Sequence, residues 1–211
     1  KISVYISSIE VDVVPQDPFS TVAIAAYDPH EDIIYKNTQP FHSSKELSVW
    51  LEKDKHQRRS DIIPPQIKIA GNYTSSMMAK WKARKDGYDE IILTDEDGFI
   101  TEAPTSNVFL VNNDDILLTA PEKEVLYGIT RKSILEIADN EGIKAKVERI
   151  PPSELENAKE VFITSSSHLV CPVIKIDNVI IGDGSIGPLT NKLKQRFIKI
   201  SRGSDIFSNN W

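Results

Sequence analysis

The chain has 211 residues, 40% hydrophobic and 27% charged, with a formal net charge of −6, a balance that suits a soluble globular protein of one large or two small domains. The negative charge leaves no surplus of Lys and Arg for phosphate backbones, which excludes nucleic acid as the main partner, and no apolar run approaches the roughly 18 residues of a membrane span. A single cysteine, Cys171, excludes a disulfide framework and makes a reducing cytoplasm the expected compartment.

"KISVYISSIEVDVV" alternates apolar residues from its first position with no initiator methionine, signal or transit sequence, and reads as a chain whose beginning is absent. Strands are expected near 2–8, 21–28 and 31–36, and "SSKELSVWLEK" reads as a short helix with a serine N-cap. "DKHQRRSDIIPPQ" combines clustered charge with two prolines; residues 56–66 therefore read as a linker between a smaller domain, 1–55, and a larger one, 67–211. "NYTSSMMAKWKARKDGYD" is expected to be a helix capped by Asn72, with Met77, Met78 and Trp81 on one side and Gly87 ending it. "EIILTDEDGFITE" and "SNVFLVNNDDILLTA" read as hairpins turning at DEDG and NNDD. "TRKSILEIADNEGI" is an amphipathic helix with Ile134, Ile137 and Ala138 inward and Gly142 as its stop. "EVFITSSS" and "CPVIKIDNVIIGDG" read as strands, and "GPLTNKLKQRFIKI" as a closing helix that buries Leu189, Leu193, Phe197 and Ile200. The sum is a mixed, mostly β chain of the α+β class.

Four stretches have chemical potential. In "IKIAGNYTSS" Lys68 lies between two isoleucines, where a snorkelling side chain is the ordinary reading. Glu102 ends "FITE", where a solvated turn residue is common. "GITR", Gly128 to Arg131, opens a helix, and its free N–H groups with a threonine hydroxyl can hold a phosphate, although Thr130 could equally be a plain cap. "TSSSH", Thr164 to His168, ends a strand in a run of hydroxyls; His168 has no metal-ligand companions among the other histidines, so no metal site is expected.

The order and spacing of these pieces carry more than any one of them. From Gln66 to Thr190 the chain resembles the class IV, or fold type IV, pyridoxal-phosphate aminotransferases, most closely the branched-chain amino acid aminotransferases, through "KIAGNYTSS", "ARKDGYDEIILTDEDGFITEAPTSNVFLV", "LYGITRKSILEIADNEGI", "ELENAKEVFITSSS", "PVIKID" and "IGDGSIGPLT". The resemblance implies a smaller α/β domain, shortened at its start, and a larger mostly-β pseudo-barrel domain with flanking helices. It implies pyridoxal 5'-phosphate as cofactor, bonded covalently to Lys68, whose amine then serves as general base and acid. Burial among apolar neighbours would favour the neutral amine. By the same resemblance Glu102 meets the pyridine nitrogen, Tyr73 the ring hydroxyl and Leu126 the ring face. The phosphate rests on Ile129, Thr130 and Ser166, and backbone N–H groups around Ser166 and Ser167 face the substrate carboxylate.

The chain departs from the family in two places. The phosphate-binding arginine belongs to an amino-terminal segment missing here, with Lys1 aligning where branched-chain enzymes often carry an arginine; and "HLVCPV" replaces the usual small and acidic residues after the hydroxyl run. The activity implied is ping-pong transfer of an amino group from a branched-chain L-amino acid to 2-oxoglutarate, in a cytoplasmic homodimer or higher homo-oligomer. The alternatives are a D-amino acid aminotransferase or aminodeoxychorismate lyase on the same scaffold and, from another class, a non-catalytic cofactor-binding or interaction module.

Overall fold

A computed structural model of the chain describes residues 1–9, 14–17, 19–28, 46–53 and 62–204. The chain divides into two compact units, 1–43 and 44–211. The described part of the first is an antiparallel ribbon of β1 (Ile2–Ile6) and β2 (Ser20–Ile24), with Ile2 opposite Ile24 and Val4 opposite Val22. The strand expected at 31–36, residues 56–61 of the expected linker and the terminal "IFSNNW" lie outside the described residues.

The second unit is built on a mixed sheet of nine strands among the described residues, ordered β4-β3-β10-β9-β6-β7-β8, with β5 added to β6 and β11 to β10. Its strands are β3 (Leu47–Leu51), β4 (Glu90–Ile92), β5 (Glu102–Ala103), β6 (Ser106–Val111), β7 (Leu117–Thr119), β8 (Ala145–Val147), β9 (Glu160–Ser165), β10 (Leu169–Ile176) and β11 (Val179–Ile180). The helices are α1 (Gly71–Lys85), α2 (Ile129–Asn140), α3 (Pro152–Glu156) and α4 (Pro188–Ser201).

The central antiparallel strands bury both faces. Val108, Leu110, Val161, Ile163, Cys171 and Val173 point into one core cluster, while Phe109, Val111, Phe162 and Val170 point into the other. This is the period of two expected of strands covered on both sides. Phe109 and Phe162 are register partners whose rings stack at 5.0 Å. Over their face lie α2, through Ile134, Ile137 and Ala138, and α4, through Leu193, Phe197 and Ile200, as the periodicity of both segments predicts.

Two elements differ from the sequence reading. The segment 43–53, read as a helix of the smaller domain, contains β3, which runs parallel between β4 and β10. Leu47, Val49 and Leu51 are buried while Ser48 and Trp50 are half-buried, so a two-residue period governs where a serine cap had suggested a helix. Helix α1 forms as expected, but its inward face is Asn72, Ser76, Ala79 and Ala83; Met77, Met78 and Trp81 are exposed. Small residues allow the helix to lie close against Ile91 and Leu93. Asn72 sits inside the helix rather than at its cap, and its amide donates to the Ile67 carbonyl at 2.9 Å.

Candidate active site

The site is assembled at the end of the sheet where α2 begins. The two-residue turn Pro104–Thr105 folds β5 back onto β6, pairing Glu102 with Asn107, and Asn107 pairs in turn with Thr164 of β9. Glu102, Asn107 and Thr164 thus form a polar row across three strands on one face of the sheet. Glu102 is only 2% exposed. Its carboxylate accepts the Leu126 N–H at 3.2 Å and an Asn107 amide N–H at 3.3 Å. A buried carboxylate must be met by donors or a counter-charge, and here its side chain also lines an open cavity of about 360 Å³.

That cavity collects Lys68, Tyr73, Glu102, Leu126, Ile129, Thr130 and Ser166, every residue for which the sequence reading expected a cofactor contact. Lys68 Nζ donates to the Tyr73 hydroxyl at 3.0 Å, the two being carried on the loop and first turn of α1. Among the described residues no apolar enclosure surrounds the lysine: Lys68 is exposed, as are Ile67 and Ile69. In this chain the lysine is met by a phenol, not by packed side chains.

The amino terminus of α2 supplies the opposite end. Gly128 is its N-cap and no side chain caps the first turn, so the leading N–H groups and the positive end of the helix dipole remain for an anion. Thr130, buried, is the second residue of the helix and not its cap. Behind it Arg131 is completely buried. One of its nitrogens donates to the Ala120 carbonyl at 2.9 Å, while Nε and the other terminal nitrogen have no partner. Burial pushes this guanidinium below its ordinary value, against the pull of Glu122, Tyr127 and Glu102.

The sequence reading also assigned Ser167 and Lys1 to the substrate. The Ser167 hydroxyl turns to Ser165 at 3.2 Å and to His168 Nδ1 at 3.4 Å, in an exposed turn that ends at Leu169 with φ of 58°. Lys1 belongs to the first unit, where its backbone nitrogen donates to the Ala25 carbonyl at 2.7 Å. The residues missed from sequence are Ser106, Asn107 and Thr164, which also line the cavity. Asn107 was legible in principle: a two-residue turn at "PT" forces the pairing of 102 with 107. The Ser106 and Thr164 hydroxyls are buried without a hydrogen-bond partner, the state expected of groups waiting for a polar ligand.

These features fit pyridoxal phosphate. There is an amine for its aldehyde, a buried carboxylate for a pyridinium, an uncapped helix start for a phosphate, and buried hydroxyls with unused capacity. The comparisons agree. Residues 14–176 match the family model described as amino-transferase class IV, and the chain belongs to the class IV aminotransferase family. It is 37% identical over 158 residues to the "Probable branched-chain-amino-acid aminotransferase" of Aquifex aeolicus, covering 74% of this chain and 49% of that protein. It is 35% identical over 144 residues to the branched-chain-amino-acid aminotransferase of Escherichia coli, covering 68% and 46%. The chain thus spans about half the length of the curated relatives it matches.

Among solved structures, the branched-chain aminotransferase of Thermoproteus uzoniensis with norvaline matches all of this chain and 66% of its own, with a TM-score of 0.86 at 27% identity. The branched-chain amino acid aminotransferase of Thermobaculum terrenum, in its PLP-bound holo form, matches 81% of this chain and 56% of its own, with a TM-score of 0.75 at 25% identity. The architecture is fold type IV, of the α+β class.

Proposed function

We propose that this chain carries the cofactor-binding part of a pyridoxal-phosphate-dependent transaminase that moves the amino group of a branched-chain L-amino acid to 2-oxoglutarate in two half-reactions. The observation that carries this reading is the convergence of the Lys68–Tyr73 pair, buried Glu102 and the uncapped start of α2 on one cavity. The names of the relatives support the branched-chain substrate class.

When bound, pyridoxal phosphate supplies an electron sink for the pair of electrons left when the substrate's α proton departs. Lys68 Nζ is the group that takes this proton and later returns it, acting as base and then acid. Glu102 holds a proton on the ring nitrogen. Tyr73 holds Lys68 Nζ in place through the 3.0 Å hydrogen bond and offers its O–H to the ring hydroxyl. Leu126 packs on the ring face, and the Ile129 N–H, the Thr130 N–H and hydroxyl and the Ser166 hydroxyl hold the phosphate. Backbone N–H groups around Ser166 and Ser167 orient the substrate carboxylate. The working form is a cytoplasmic homodimer.

The test is a panel of L- and D-amino acids offered to the cofactor-loaded protein with 2-oxoglutarate. L-leucine, L-isoleucine and L-valine are expected to yield their 2-oxo acids; conversion of D-amino acids alone, or release of pyruvate without an amino acceptor, replaces the branched-chain assignment with its alternatives. Borohydride is expected to fix the cofactor on Lys68, and Lys68→Ala to abolish both the trapped adduct and transamination while leaving the fold intact. Undiminished turnover in the purified Lys68→Ala protein refutes the assignment.

A further inference from the structure

Asn107 closes a ring of three hydrogen bonds that none of the roles above includes. Its amide nitrogen donates to Glu102 Oε2 at 3.3 Å and to the Leu126 carbonyl at 2.8 Å, while the Leu126 N–H donates to Glu102 Oε1 at 3.2 Å. Both partners of the amide nitrogen are acceptors, so the side chain has one workable orientation, with its Oδ1 facing Gly128. A Cβ at Gly128 would overlap that oxygen, so glycine is what lets the loop close on the amide. Gly128 N–H then donates to the Leu126 carbonyl at 2.8 Å, and α2 starts at the next residue.

We propose that Asn107 is a positioning residue for the reaction: it fixes the rotamer of the Glu102 carboxylate and registers that carboxylate with the Leu126–Gly128 loop and the start of α2. The inference rests on the cofactor reading of the cavity. Glu102 has three rotatable side-chain bonds, and the Leu126 N–H, within reach of both carboxylate oxygens at 3.2 and 3.3 Å, does not by itself select one arrangement; the Asn107 amide adds the charge-assisted bond on Oε2 that does. Because the same amide also holds the Leu126 carbonyl, one side chain sets the distance between the ring-nitrogen end of the site and its phosphate end. Asn107 is 5% exposed and pairs with Glu102 through the backbone ladder, so strand pairing delivers it to this position.

The test compares the binding of two probes to the purified protein by titration, without turnover: pyridoxal 5'-phosphate and its deaza analogue, in which a ring C–H replaces the pyridine nitrogen. Both keep the aldehyde and the phosphate, and the intrinsic differences between the probes cancel when variants are compared, so the change in their affinity ratio reads the contact with Glu102. Wild type is expected to prefer pyridoxal phosphate, and Asn107→Leu to reduce that preference about tenfold, as Glu102→Gln does, the size of one charge-assisted hydrogen bond. Equal weakening of both probes marks a merely structural residue and overturns the proposal, as does an unchanged preference. If Asn107→Leu does not fold, Asn107→Ser is read by the same ratio, since a short hydroxyl cannot reach both acceptors. A wild-type protein that binds neither probe overturns the cofactor reading, and this proposal with it; a wild type that binds both and a variant with the wild-type ratio overturn this proposal alone.

Discussion

Glu102 shows how much chemistry a single position acquires from its surroundings. In the sequence it is a carboxylate beside a proline turn, a setting where most glutamates are solvated; in the fold it is buried, accepts the N–H groups of Asn107 and Leu126, and lines a cavity. Replacing it with Gln keeps the shape but exchanges one acceptor oxygen for an amide donor and removes the charge that, in the proposed role, holds a proton on the ring nitrogen. We expect Glu102→Gln to slow turnover by about 10²–10³-fold, the scale of one preorganised electrostatic contact, while cofactor affinity falls far less. Steady-state kinetics beside a cofactor titration measures the split, and equal losses in both count against the role. Lys68 and Tyr73 were both legible from "IKIAGNYTSS", but the exposure of the lysine was not, because flanking isoleucines say nothing about whether other elements cover them.

At the scale of elements, helix α4 depends on a residue far from it in sequence. Glu160 of β9 accepts the N–H groups of Leu189 at 2.9 Å and Thr190 at 2.6 Å, capping a helix whose own N-cap, Gly187, has no side chain. A Cβ at Gly187 would overlap the Glu160 carboxylate. Gly187→Ala is therefore expected to cost about 1–3 kcal/mol, the usual scale of overpacking, read as a lower urea midpoint with unchanged slope. A second clamp joins α4 to the end of α2: Glu141 meets Arg196 at 2.7 Å and Lys192 at 3.0 Å. Hydrogen bonding and the charges of Lys192 and Arg196 hold the Glu141 carboxyl below its ordinary value. A carboxyl held low in the folded state contributes stability above its unfolded value of 4.5, and that contribution is lost as pH falls through the folded value. Denaturation of Glu141→Gln followed from neutral pH into the acid range should show a shallower acid limb than wild type; parallel curves would remove the clamp from the account. The amphipathic helices were readable because their period is local, whereas β3 was misread because five residues between charged flanks carry too little pattern to outweigh a capping signal.

For the whole molecule, the central antiparallel strands, buried on both faces, are expected to open last. Cys171 lies there, opposite Ile163, and burial pushes its thiol above the ordinary value. Its reaction with an alkylating reagent requires the sheet to open. Labelling of Cys171 is expected to track global unfolding, to accelerate in Gly187→Ala, and to slow when pyridoxal phosphate is bound, because a ligand of the native state lowers the open population. Rapid labelling under native conditions would show that these strands open locally. No helix among the described residues is long and apolar enough to cross a membrane.

Periodicity, punctuation and motif order were enough to recognise the family, its cofactor chemistry, two amphipathic helices and the short motifs that carry seven of the cavity's residues, since each helix and each motif is written in residues near one another along the chain. The ring around Asn107, the buried guanidinium of Arg131, the cap lent by Glu160 and the bare face of α1 depend on which strands lie side by side and on what covers them. Those contacts join residues from 5 to 30 positions apart that belong to different elements, and only the packed sheet brings them within hydrogen-bonding distance.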